Sequence, residues 1–281
     1  MASYRGRPRR FNLADMFELV AAAVPQRDAV VDGDRRCTFG DLDRRTNRFA
    51  NLLLSWALTP RTRVAILSAN RIEWLEVMLG SFKARATPIS LGLECSADQA
   101  RDVLDGVSAE VLVYEARFSP VVSAVAGQVP SLRHLLTLGA SAADHRAAVG
   151  SIDYETALAV RSEAVPGVDR SPDDLYMVYE GGGSGRALAS TWRHEDLFFT
   201  ELGGGRNDGT PAPVSSPDEL VDRLTREEAH LVRQVTTPSA DADVQRSMLS
   251  TLLAGGTVVL SASDEPGGVG DAGAAGVAIS D

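Results

Sequence analysis

The run Glu180-Gly181-Gly182-Gly183-Ser184-Gly185-Arg186 sets a carboxylate, a hydroxyl and a guanidinium among four glycines. It follows Leu175-Tyr176-Met177-Val178-Tyr179, an apolar stretch that reads as a strand. Glycines placed after a strand let backbone N–H groups approach a phosphate without Cβ obstruction. A glycine run of this kind also serves as a plain flexible loop. Glu180 heads the run, and His194 lies just beyond it in Trp192-Arg193-His194-Glu195-Asp196. Both are candidate catalytic groups for acid–base chemistry, with a helix-start or packing role as the alternative for His194. Asp241 and Asp243 are spaced to pair, or to stand as solvated loop charges. Ser184 is not in a nucleophile elbow, because G-x-S-x-G requires glycine where Arg186 stands.

Other chemistries are poorly served. Cys37 and Cys95 lie in no CxxC or Cys/His cluster, so they read as structural thiols. His134, His145 and His230 are isolated and lack metal-ligand spacing, and no metal is expected. Lys83 is the only lysine, which excludes any mechanism that needs two. It falls on a helical pattern and reads as structural or surface. Trp56, Trp74 and Trp192 read as packing anchors.

The elements that would position these groups alternate. Helices are expected over Leu13–Val24 with Asn12 as cap, from Thr38 or Gly40 to Leu58, and over Arg71–Ala84, Ala97–Val107 and Phe118–Val129. Strands are expected at 29–31, 37–39, 63–67, 87–91, 111–114, 135–138, 175–179 and 257–260, the first two forming a hairpin through Asp32-Gly33-Asp34. Between 139 and 173 only a short helix near Tyr154–Val160 stands out. Helices follow near His194–Leu202, Pro217–Leu224 and Met248–Leu253. Repeated strand–helix order implies a parallel sheet covered on both faces. The tail 261–281 is rich in Gly, Ala, Ser and Asp and reads as poorly ordered.

A chain of 281 residues can bury a substantial core. Its net charge of -10 argues against nucleic acid as a partner. The exception is the start, where Arg5, Arg7, Arg9 and Arg10 read as a solvated terminus. No stretch approaches membrane-spanning length, and no apolar signal segment follows the arginines. A cytoplasmic protein without membrane attachment is expected.

Several segments together are similar to the acyl-CoA synthetase branch of the adenylate-forming, AMP-binding superfamily. They are Leu13-Ala14-Asp15-Met16-Phe17-Glu18-Leu19-Val20, Phe39-Gly40-Asp41-Leu42-Asp43, Glu76 to Arg85, Ser171 to Tyr176, Trp192 to Asp196, and Leu252 to Leu260. In that family the glycine loop runs approximately T-G-G-T-T-G-x-P-K-G, whose threonines, amides and lysine hold ATP phosphates. The resemblance places Glu180 at the first threonine, Gly183 at the second, Ser184 at the third and Leu188 at the lysine. The glycine skeleton, Gly181, Gly182 and Gly185, is kept. Arg186 is the one nearby cation, and it differs from lysine in reach and geometry. The family's acyl-side motif falls on Thr236 to Asp243, where its histidine is absent and two acids stand. The resemblance also implies that the adenine, magnesium and ribose contacts and the mobile carboxyl-terminal domain lie beyond this chain's span.

The expected fold is therefore α/β, a doubly wound, largely parallel sheet with an incomplete second α/β subdomain. The expected division is 1–170 for the first subdomain and 171–281 for the partial second, with its altered loop and tail. The expected function is that of a synthetase-like protein that has lost ATP-dependent acid activation. It would act in a biosynthetic pathway by binding a protein partner, a second copy of itself or a small metabolite, without a cofactor. The alternative is a repurposed, ATP-independent enzyme built on Glu180, Ser184, Arg186 and His194.

Overall fold

The computed structural model describes residues 11–139, 150–180, 188–205, 213–226, 231–237 and 240–261. Helix α1, Leu13–Ala23, starts where Asn12 Oδ1 accepts the Ala14 N–H at 2.9 Å, the capping expected of that residue. Strands β1, Asp28–Asp32, and β2, Arg35–Thr38, form an antiparallel hairpin turned by Gly33 at φ 58. Helix α2, Phe39–Ser55, begins with a reciprocal capping box between Thr38 and Asp41.

The next strands are β3 (Arg63–Leu67), β4 (Thr87–Ser90), β5 (Val111–Glu115), β6 (His134–Leu138) and β7 (Ser151–Asp153). They form an all-parallel sheet of five strands in the order β4-β3-β5-β6-β7 among the described residues. The crossovers are α3 (Ile72–Lys83), α4 (Ala97–Gly106) and α5 (Ser119–Val125), and α6 (Tyr154–Ala159) follows β7. Alternate strand residues enter two separate cores. Val64, Ile66, Val111, Val113 and Leu136 join α1, α2 and α3 in one. Ala65, Leu67, Leu112, Tyr114 and Leu135 join α4 and α5 in the other. That period-two division is what a parallel sheet covered on both faces requires. The doubly wound α/β reading of the sequence is the observed fold.

Beyond residue 170 the chain first makes an antiparallel hairpin of β8, Leu175–Glu180, and β9, Leu188–Arg193, with β8 packed beside β4. Then come α7 (His194–Thr200), α8 (Pro217–Arg226), β10 (Val232–Val235), α9 (Ala242–Leu253) and β11 (Thr257–Leu260). β11 lies parallel to β1, with Val30 opposite Val258, giving the order β10-β11-β1-β2. This sheet therefore joins residues on both sides of position 170. Strands β7, β9 and β10 were not expected from the sequence. Helix α9 begins six residues before the expected Met248, where Asp241 caps it.

The first part of the chain is riveted by charge as well as by apolar packing. Lys83 on α3 is fully buried, and its Nζ donates to Asp43 Oδ1 (2.6 Å) and Asn47 Oδ1 (2.7 Å) on α2. Glu18 of α1 lies 3.6 Å from the same ammonium. Arg170 grips Glu18 with both terminal nitrogens, at 2.9 and 2.7 Å, and reaches Asp15 at 2.6 Å. Its Nε donates to the Lys83 carbonyl at 3.2 Å. Removing one partner of such a group strands a charge away from water. Arg170→Met should therefore lower unfolding free energy by about 3–5 kcal/mol, read as a shift of the urea midpoint at unchanged slope. A change within experimental error would show that the network is not structural.

Candidate functional site

The glycine-rich loop is carried by the β8–β9 hairpin. Tyr176 and Val178 of β8 are buried, and the Tyr176 hydroxyl donates to Gln245 Oε1 on α9 at 2.7 Å. The strand is anchored at its start by Asp174. That carboxylate accepts two hydrogen bonds at 2.9 and 2.8 Å from Arg85 and one at 3.1 Å from Asn12. Arg85 sits at φ 61, a strained setting for a side-chain-bearing residue. The sequence reading passed over this Asn12–Arg85–Asp174 knot, since its members lie far apart in the chain and are joined only by folding.

Antiparallel register sets the loop's mouth. Glu180 stands directly opposite Leu188, and Leu175 opposite Arg193. The two positions that the synthetase pattern gives to threonine and lysine are thus a cross-strand pair, occupied by glutamate and leucine. Gly181, Gly182, Gly183, Ser184, Gly185 and Arg186 lie outside the described residues.

His194 is at the other end of the hairpin. Its backbone N–H donates to the Asp174 carbonyl at 2.9 Å. The register separates it from Glu180 by the length of β8, about 17 Å at 3.4 Å per residue. The side chain has no exposed surface and packs edge-on against Phe82, with ring centroids 4.7 Å apart. Its Nδ1 accepts the Leu13 N–H at 3.4 Å, which puts the proton of the neutral ring on Nε2. Nε2 is buried. Burial pushes the His194 pKa down to about 4, against the opposing pull of the Asp174 carboxylate. In this setting the imidazole is a neutral interior group that ties α7 to the start of α1. The structure does not bring Glu180 and His194 together as an acid–base pair.

The other candidates are dispersed too. Asp241 caps α9, accepting the N–H groups of Asp243 and Val244 at 2.9 and 3.1 Å. Asp243 is exposed and pairs with Arg246 one turn on. Both acids start a helix. Pro238 and Ser239 of the acyl-side segment lie outside the described residues. The buried Cys37 thiol is pushed up to about 12, chiefly by burial, which leaves no thiolate at neutral pH. No group of three or more His, Cys, Asp or Glu among the described residues is placed to hold a metal ion. No helix among them is long and apolar enough to cross a membrane.

A parallel sheet with helices on both faces, leading into a glycine-loop hairpin, defines the amino-terminal part of an acyl-CoA-ligase-type fold. The N-terminal domain of FACL13 from Mycobacterium tuberculosis superposes with a TM-score of 0.72 at 17% identity, over 89% of this chain and 57% of that one. The anthranilate CoA ligase AuaEII in complex with anthranoyl-AMP superposes with a TM-score of 0.74 at 18% identity, over 90% and 45%. The chain belongs to the AMP-binding enzyme family, whose pattern matches residues 17–268. The medium-chain acyl-CoA ligase Mig of Mycobacterium avium is 32% identical over 262 residues, covering 89% of this chain and 47% of Mig. The 3-oxocholest-4-en-26-oate–CoA ligase of Rhodococcus rhodochrous is 32% identical over 249 residues, covering 89% and 44%. The chain spans about half the length of the curated relatives it matches.

The depressed His194 pKa makes stability depend on pH. The unfolded chain binds a proton at this residue below about pH 6.5, while the folded chain resists it down to about 4. Stability from this site is complete above pH 6.5 and is lost as pH falls toward 4, by about 3 kcal/mol in all. Chemical denaturation between pH 7 and 4 should show that loss. His194→Asn keeps an acceptor for Leu13 and should flatten the slope in this window. An equal slope in the variant would rule His194 out as its source.

Proposed function

We propose that this chain keeps the ligase fold without activating acids by ATP, and acts by binding a protein partner or a small metabolite, in a biosynthetic setting. The observation that carries this reading is the Glu180–Leu188 pair at the mouth of the hairpin. A carboxylate there opposes a triphosphate instead of donating a hydroxyl hydrogen bond to it. Leucine supplies no cation at the position where the family pattern has lysine. Each hydrogen bond to a charged group is worth about 1.5–3 kcal/mol, so the two changes together weaken phosphate binding by at least about a hundredfold.

The relatives are ligases of medium-chain acids and of a steroid acid by name. Apolar carboxylic acids are therefore the metabolite class to examine first. The buried clamps described above hold α1, α3 and the hairpin in place independently of the loop. This supports a folded binding module in which the loop chemistry has changed.

Calorimetric titration of the unaltered chain with ATP–Mg should give no saturation in the micromolar range. The double substitution Glu180→Thr with Leu188→Lys should gain affinity relative to it. Micromolar ATP binding by the unaltered chain would overturn the reading.

A further inference from the structure

Three turns meet at the amino ends of β3, β5 and β6 and line an open pocket of about 330 Å³. This is the lower end of the size range of small-molecule sites. It lies at the opposite end of the strands from the carboxyl edge where open α/β sheets usually bind ligands. Its polar lining is Thr59, Arg63, Ser108, Glu110, Ser131 and Arg133. The walls are held in place: the Trp56 and His134 rings stack 3.9 Å apart at 1°, fixing the end of α2 against the start of β6. Ser108 sits at φ 52, a backbone setting that a side-chain-bearing residue seldom adopts.

The charges in this lining are unevenly matched. The Glu110 carboxylate accepts from the Thr62 hydroxyl at 2.9 Å and lies 3.8 Å from Arg133. Arg63 has no ion-pair or side-chain hydrogen-bond partner among the described residues. Ser131 Oγ is buried and also without a partner. The pocket thus holds one surplus guanidinium, a planar donor suited to a planar or tetrahedral oxyanion. We propose that this pocket binds the phosphate or carboxylate group of a small metabolite, with Arg63 as the principal contact.

The site does not involve the hairpin, so its test is independent of the nucleotide reading. Inorganic phosphate and succinate, titrated separately at low ionic strength without nucleotide, distinguish the two oxyanion sources. Saturable binding of at least one is expected. Arg63→Met should weaken it by about tenfold or more, and Glu110→Gln, which removes the opposing carboxylate, should tighten it. Saturation by neither anion overturns the proposal, as does binding that Arg63→Met leaves unchanged. Should Arg63→Met fail to fold, Glu110→Gln decides, and unchanged or weaker binding in that variant is equally fatal.

Discussion

Glu18 is shared by two cations in the interior of the molecule, and much of the architecture hangs on that sharing. Lys83 approaches it from α3 and Arg170 from the irregular segment that precedes β8. A carboxylate and two cations out of water tolerate little displacement, because each must keep nearly all of its hydrogen bonds. That demand fixes α1, α2 and α3 relative to one another. It also secures a stretch that could not organise itself. Residues 160–174 form no helix or strand, yet their backbone is served by α2. Asn47 donates to the Glu163 carbonyl, Asn51 to those of Ser162 and Ala164, and Arg48 to the preceding Leu158 and Ala159. An irregular segment with its carbonyls met this way is as much a part of the scaffold as a strand.

The same scaffold holds the hairpin by contacts at its base and not at its loop end. The clamp at Asp174 and the seat of Tyr176 beside α9 hold β8 from below. Nothing in those contacts depends on the residues at the far end of the hairpin. Sequence change at the loop therefore carries little structural cost, whereas change at Arg85 or Asn12 would reach the whole second half. Family membership accordingly follows from the anchored parts, and chemistry follows from the mouth of the loop.

Much of the fold was legible because its strands are apolar runs and because Asn12 and Thr38 mark helix starts. β9 escaped notice because Leu188-Ala189-Ser190-Thr191-Trp192-Arg193 has no strand-like alternation, and its pairing with β8 makes it a strand. β10 escaped for a related reason: three of its four residues are exposed, and β11 alone holds it. Lys83 was correctly placed on a helix in a supporting role, but nothing in its neighbourhood announced total burial, since Glu18 and Arg170 are remote in the chain. His194 takes the helix-start and packing role that its sequence context offered, as the fully buried first residue of α7. It lies near the glycine loop in sequence, and one extended strand carries it away to an enclosed packing position. The pocket at the amino ends of the strands gave no sequence signal, because its members come in small groups from three turns that are remote in the chain.

The pairing of β1 with β11 has a consequence for how the molecule comes into being. Asp28 accepts a hydrogen bond from Thr257 across 229 positions of chain. Contacts of such separation close late, after the entropy of a very long loop has been spent. During synthesis β1 and its hairpin leave the ribosome well before the strand that completes their sheet exists. Until then one edge of β1 is an open template. The five-stranded sheet, whose neighbours are close in sequence, can form in that interval and keep the early segment sequestered against α2 and α3. Assembly thus runs from the middle of the fold outward, and β1 is among the last strands to gain both neighbours.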